Sequence, residues 1–300
     1  MSLFAQNRNM FFERLNLFSG RKSEKNKKLG IALGSGGAKG MAHIGILRAF
    51  EEENINFDVV TGCSIGSIAG GLYARGFSTA NMLAALKELK LYEPQSVLYY
   101  TLQGVSVAKI LDDMLGGVDF DELILPFAAV ASDIDKGEQV VLSEGNVALA
   151  MAASSAIPPM FRAVELGGRR LVDGAYFNNV PADVCKDLGA DFVIGVALGT
   201  ENPKNDKIKP ALDAIYRNNK IPVTDRAAAG KKNSEIYLAP DLSAYTSASY
   251  KNLDDMYEIG YEYAKQKMPE IKAALKTAKI QTKKLKIIKN LKKPYKIGEK

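Results

Sequence analysis

The strongest constraint on how this chain can fold is a repeated local pattern: a short apolar run that ends in glycine and opens into a helix. LGIALG (29–34) leads through a glycine-rich loop into Met41, Ile44, Ile46, Leu47 and Phe50, spaced for a helix from Gly40 to about Glu53. FDVVTG (57–62) runs into IGSIAGGLYARG (65–76) in the same way. PFAAVASDI (126–134), QVVL (139–142), RRLVDG (169–174), DFVIGVAL (191–198) and residues 235–239 read as further strands. Helices are expected over 79–91, 147–155, 181–188 and 253–267. Strands that are apolar along their whole length are buried on both faces, and strands alternating with helices build a mainly parallel sheet covered on both sides. The expected architecture is a three-layer α/β/α fold. The polar, basic, proline-bearing segment 200–234 reads as a long surface loop with a short helix.

A hydrophobic content of 47% over 300 residues is ample for one sizeable core. No apolar run approaches the roughly 18 residues of a membrane-spanning helix. Arg8, Glu13 and Arg14 interrupt what would be the apolar part of a secretory signal. Cys63 and Cys185 lie far apart and form no metal-type spacing, so a reduced, cytoplasmic setting is expected, with no metal. The net charge of +6 is uneven. Residues 1–29 carry +5 and residues 272–300 carry +10, which leaves −9 for the body. An acidic body argues against nucleic-acid binding and makes the two basic arms the candidates for an anionic partner.

The loop from Gly34 to Gly40, GSGGAKG, is built to meet negative charge. A nucleotide-binding P-loop needs Gly-Lys followed by Ser or Thr, but here Lys39 precedes Gly40 and Met41 follows. A dinucleotide fingerprint fits at Gly34 and Gly36 and then meets Lys39 where the third glycine belongs. The remaining reading is an oxyanion loop, whose backbone N–H groups stabilise charge that develops on a carbonyl oxygen. It requires a nucleophile nearby.

GCSIG, from Gly62 to Gly66, supplies one. Ser64 sits between a strand and a helix, the context in which G-x-S-x-G forms a nucleophile elbow. Its base is not the usual one. No histidine follows Ser64, and the chain's single histidine, His43, lies upstream in the helix after the glycine loop. His43 reads as a residue that shapes the loop. The base is then a carboxylate or a lysine, unless His43 folds back. The most distinctive carboxylate is Asp173 in RRLVDGAYFNNVP, at a strand end before Gly174 and Ala175 among apolar neighbours that would raise its basicity. An ordinary Asp-Gly turn explains the same residues.

GSGGAKGMAHIGIL, GCSIG and LVDGAYFNNVP, in this order, resemble the signature blocks of the patatin-like phospholipase family, and AMAASSAIPPMF (150–161) is similar to a fourth. The likeness spans about residues 29–200, weakly to about 265, and is to the short, single-domain bacterial members. It implies a three-layer fold and a Ser–Asp dyad that uses neither histidine nor cofactor. Ser64 is then the nucleophile and Asp173 the general base. The oxyanion hole falls on Ser35, Gly36 and Gly37, and Lys39 fills the basic position of the glycine pattern. Ser35 stands where that pattern has glycine, which favours Gly36 and Gly37 as the donors. Gly34, Gly40, Gly62, Gly66, Gly174 and Ala175 are the supporting positions.

The resemblance implies a lipid or lysophospholipid ester as substrate. A rival reading is a regulatory or binding protein on the same fold at membranes. The expected organisation is a basic amphipathic arm (1–28), a hydrolase domain (29–270) and a Lys-rich tail (271–300). In the tail, Ile271, Leu275, Ala278, Leu285, Ile288 and Leu291 recur at helical spacing opposite lysines. Phe4, Phe11, Leu15 and Phe18 do so in the N-terminal arm. Both read as peripheral contacts with anionic lipid at the inner membrane surface.

Overall fold

The computed structural model describes residues 26–89, 106–158, 161–199 and 223–282. The strands are β1 (Leu29–Leu33), β2 (Val59–Cys63), β3 (Phe127–Asp133), β4 (Glu138–Leu142), β5 (Val164–Leu166), β6 (Arg169–Asp173), β7 (Phe192–Val196) and β8 (Ile236–Leu238). The α-helices are α1 (Met41–Glu52), α2 (Ile65–Arg75), α3 (Thr79–Leu89), α4 (Val107–Leu115), α5 (Val147–Ser154), α6 (Ala182–Asp187), α7 (Val223–Lys232) and α8 (Leu253–Ala278). The strands form one sheet in the order β5-β6-β3-β2-β1-β7-β8, with β4 also on β3. The run β3-β2-β1-β7-β8 is parallel throughout, whereas β4 and β6 pair antiparallel with β3 and β5 antiparallel with β6.

Side-chain alternation along the strands divides the interior in two. Leu29, Ile31 and Leu33 join Val60, Ile194 and Val196 in the larger core, which α1 to α5 and α8 cover. Ala32, Val59 and Val193 face the other way, onto Ala182 and Cys185 of α6. The sheet therefore lies between two helical layers, as its doubly apolar strands require. Each large aliphatic side chain fully buried here contributes roughly 1.5–3 kcal/mol.

The register around β3 positions everything that follows. β4 pairs with Ala129 to Asp133 along one edge. β2 pairs with Phe127 to Val130, and β6 with Ala131 to Asp133. A strand has two edges, so β2 and β6 share the other one. They approach from opposite directions and meet tip to tip, with Cys63 opposite Val130 and Asp173 opposite Ala131.

On the covered face, α1 and α8 touch backbone to backbone. A Cβ on Gly45 would lie 2.0 Å from the Tyr257 carbonyl, and one on Gly260 would lie 2.3 Å from that of Ala42. The Arg48 guanidinium stacks over Tyr261, with 4.5 Å to the ring centre, and donates to the Tyr257 hydroxyl at 3.1 Å.

Three differences from expectation have physical causes. The last helix runs past Lys267 to Ala278. Pro269 removes the N–H that would bond the Lys265 carbonyl, but Ile271, Leu275 and Ile280 beyond it are buried. Their burial offsets the lost bond, so the folded body continues past 270, and Ile271 and Leu275 face the core rather than lipid. Helix α4 was not expected. It is started by Ser106, whose Oγ accepts the Lys109 N–H, and stopped by Gly116 at φ 86°. The short, half-exposed β5 was not expected either. Residues 1–25, 90–105, 200–222 and 283–300 lie outside the described residues, and with them the N-terminal arm, most of the 200–234 segment and Leu285, Ile288 and Leu291.

Candidate active site

The glycines of GCSIG are there because the chain folds back on itself at this turn. A Cβ on Gly62 would sit 2.3 Å from the Gly66 carbonyl, and one on Gly66 would sit 2.1 Å from that of Leu33. Between them Ser64 adopts φ 55°, ψ −126°, a conformation that costs a non-glycine residue on the order of 1–3 kcal/mol. The Ser67 hydroxyl (2.7 Å) and Ser67 N–H (2.8 Å) both donate to the Ser64 carbonyl and open α2. The Ser64 N–H donates to Ser154 Oγ at 2.9 Å. Ser64 thus sits buried at a helix N-terminus, where the backbone dipoles favour negative charge.

Asp173 ends β6 directly beyond that tip and is also buried. Its Oδ1 accepts the Ala175 N–H at 2.8 Å, and its backbone N–H donates to the Ala156 carbonyl at 2.8 Å. Gly174 lets the turn close: a Cβ there would be 2.1 Å from the Val130 carbonyl. Oδ2 makes no formed hydrogen bond among the described residues, yet the Ser64 side chain lies near enough to pull the carboxyl pKa down as a hydrogen-bonding neighbour. The contact is looser than a formed bond, as such pairs often are before substrate binds. Burial acts the other way and more strongly, so the Asp173 pKa is raised from 3.8 to about 6. Cys63 is no competing nucleophile, because burial, reinforced by the Asp173 charge, pushes its thiol well above the ordinary range.

The glycine loop closes the other side of Ser64. The Gly34 N–H continues the sheet by donating to the Val196 carbonyl at 2.9 Å. The Ser35 N–H is shared between the carbonyl and Oδ1 of Asn179, both at 3.2 Å, and the Ser35 hydroxyl also donates to that Oδ1. Ser35 is therefore withdrawn from the expected amide donors, since its N–H is already engaged. Ala38 donates to the Ser247 carbonyl at 2.9 Å and Lys39 to that of Gly36 at 3.2 Å. Among the described residues, the N–H groups of Gly36 and Gly37 have no acceptor. Gly37 holds φ +55° with the Ser247 carbonyl 2.6 Å from where a Cβ would be. Lys39 is buried, and Gly40 packs its bare Cα on Ile65 at the start of α2.

His43 is fully buried, and its Nε2–H donates to the Gly34 carbonyl at 2.7 Å. Burial lowers its pKa to about 4 against the opposing effect of that bond, so the ring is neutral. Its other nitrogen, Nδ1, has no hydrogen bond among the described residues. The ring thus braces the glycine loop and does not engage Ser64. Two residues that local patterns did not reveal complete the arrangement: Asn179, which binds Ser35, and Ser154, which binds Ser64. Both lie inside the quoted sequence blocks, but their contacts cross the fold.

An elbow serine, a buried carboxylate and a glycine loop at the ends of neighbouring strands define a patatin-type α/β fold. Residues 31–186 match the patatin-like phospholipase family, and the chain belongs to it. Patatin-like phospholipase domain-containing protein 6 of Homo sapiens is 28% identical over 275 residues, covering 79% of this chain and 20% of that protein. An uncharacterized NTE family protein of Mycobacterium tuberculosis is 30% identical over 206 residues, covering 67% of this chain and 57% of that one. The chain thus spans about a fifth of the length of the animal relatives and over half of the mycobacterial one. Among solved structures, VipD from Legionella pneumophila superposes with a TM-score of 0.53 at 13% identity, covering 86% of this chain and 73% of that chain. Human GIVD cytosolic phospholipase A2 does so with a TM-score of 0.50 at 13% identity, covering 91% and 63%. These two likenesses are of fold.

Proposed function

We propose that the protein is a serine lipid acyl hydrolase of the phospholipase A or lysophospholipase type, with Ser64 as nucleophile and Asp173 as general base. The observation that carries this is a strained elbow serine beside a buried carboxylate whose pKa, about 6, suits proton transfer near neutrality. Asp173 takes the Ser64 proton as Oγ attacks the ester carbonyl. The Gly36 and Gly37 N–H groups and the α2 terminus stabilise the oxyanion. The intermediate collapses, Asp173 gives its proton to the leaving alkoxide, and the acyl group stays on Ser64. Water then gives a proton to Asp173 and attacks the acyl carbonyl. The second collapse returns the proton to Ser64 Oγ and frees the fatty acid. Every proton is carried by a residue present, so the scheme needs no cofactor.

A lipid ester is the substrate class favoured by family membership and by the relatives' names, among them a lysophospholipase of Scheffersomyces stipitis, 24% identical over 300 residues. Among the described residues no helix is long and apolar enough to cross a membrane. The basic segments 1–29 and 272–300, whose charge attracts anionic headgroups, are the proposed contacts with lipid. The test is fluorophosphonate labelling and ester hydrolysis by the parent chain, Ser64→Ala and Asp173→Asn. Loss of labelling in the first and of turnover in both is expected; near-parental turnover in either sinks the dyad.

A further inference from the structure

A bond is missing from the sheet where β2 ends, and a side chain stands in its place. The Val60 N–H donates to the Pro126 carbonyl at 3.0 Å, which fixes the phase of the β2–β3 ladder. Parallel pairing repeats every two residues, so the donors in line are Val60, Gly62 and then Ser64. With Cys63 opposite Val130, the acceptor due to Ser64 is the Val130 carbonyl. Instead, the Ser64 N–H donates to Ser154 Oγ at 2.9 Å, and the Ser154 hydroxyl donates to the Val130 carbonyl at 2.6 Å. A hydroxyl has one proton and spare lone pairs, so this polarity is the one consistent assignment. One buried oxygen is spliced into one rung.

The splice does two things. It satisfies two backbone groups that would otherwise be orphaned in the core. It also holds the Ser64 amide one hydroxyl away from β3, which lets the chain turn out of the sheet into φ 55°. The same turn at the end of α5 reaches the other side of the gap, where the Ala156 carbonyl accepts the Asp173 N–H at 2.8 Å. Ser64 and Asp173 have no strand pairing with each other, so this turn joins their two backbones in addition to the shared edge of β3.

We propose that Ser154 is a positioning residue for acyl transfer: its hydroxyl replaces the last β2–β3 ladder bond and so sets where Ser64 stands relative to Asp173. This rests on the reading of Ser64 as nucleophile. The test compares the full-length parent with Ser154→Ala, Ser154→Cys and Ser64→Ala, using p-nitrophenyl butyrate turnover, fluorophosphonate labelling rate and active-site titration, with thermal melting alongside. Ser154→Ala should lower kcat per titrated site by roughly 10- to 100-fold with KM within about two-fold, because orientation rather than binding is lost. The labelling rate should fall in step. Ser154→Cys should recover part of the loss, since a thiol is a weak donor and acceptor, and it serves as the test if the alanine variant does not fold. Turnover per titrated site within about two-fold of parent in Ser154→Ala, or in Ser154→Cys if that alone folds, overturns the proposal. An inert Ser64→Ala beside an unimpaired Ser154→Ala removes only the role of Ser154. Activity surviving in Ser64→Ala removes the nucleophile reading, and this proposal with it.

Discussion

Cys63 and Asp173 occupy consecutive rungs on one edge of β3, opposite Val130 and Ala131. Cys63 is the last residue of a strand running one way and Asp173 the last residue of a strand running the other, so the residue that follows β2, Ser64, emerges beside the aspartate. The β3 rungs thereby bring the two strand tips together, and the Ser154 hydroxyl takes the place of the ladder bond at the step from Cys63 to Ser64.

Asp173→Asn should abolish turnover yet raise stability. The folded-state pKa lies above the unfolded value of 3.8, at about 6, so the carboxylate is a cost to folding that is absent below pH 3.8 and complete above about pH 6. Its size is on the order of 3 kcal/mol. Denaturant titration at pH 7 should therefore find the inactive asparagine variant more stable than the parent. The parent's kcat/KM should climb with pH through an inflection near 6, as the base becomes ionised.

His43 has the opposite linkage. Its folded pKa, about 4, lies below the unfolded 6.5, so the stability it contributes is complete above pH 6.5 and lost as pH falls toward 4. The size is again on the order of 3 kcal/mol, and between pH 4 and 6 it opposes the Asp173 effect. Stability profiles over pH 4–7 should show His43→Gln gaining on acidification and Asp173→Asn losing. The activity inflection near 6 should persist in His43→Gln. Its disappearance there would point to the imidazole as base.

Ser35→Gly should keep kcat within several-fold, because the Ser35 N–H is already bound to Asn179. Gly37→Ala should lose roughly 100-fold or more in kcat, the usual scale for a disturbed oxyanion donor. Its new methyl would meet the Ser247 carbonyl at a positive φ. Steady-state kinetics on a soluble ester, paired with melting curves, separates this from unfolding.

Gly45→Ala and Gly260→Ala should each lower the melting temperature sharply, since each places a methyl against backbone of the facing helix. Overpacking of this kind costs typically 1–3 kcal/mol. A chain ending at residue 270 should be destabilised too, by exposing the surface that Ile271, Leu275 and Ile280 cover. Calorimetry on the three proteins checks both expectations.

Much of the fold was readable because its strands are doubly apolar and punctuated by glycine. β1, β3 and β7 lie within a residue or two of where LGIALG, PFAAVASDI and DFVIGVAL end. The elbow and the aspartate turn were readable because sterics there demand small residues at fixed offsets. What escaped was set at a distance. Nothing local marks Ser154 as the partner of Ser64, or Asn179 as the acceptor for Ser35. Pro269 reads locally as a helix stop, and only the core waiting for Ile271 and Leu275 overrides it.

The tip-to-tip meeting of β2 and β6 also bears on how the molecule comes to be made. β1, α1 and the elbow precede the aspartate's strand in the chain by about a hundred residues or more, and α8, which packs on α1, follows it. Closing such long-range contacts is slow, because chain entropy is lost before the contacts form. A nascent or clipped chain that stops short of β6 carries the elbow without its carboxylate. Sheet order thus makes the proposed dyad conditional on a long-range docking: neither strand tip alone carries both residues.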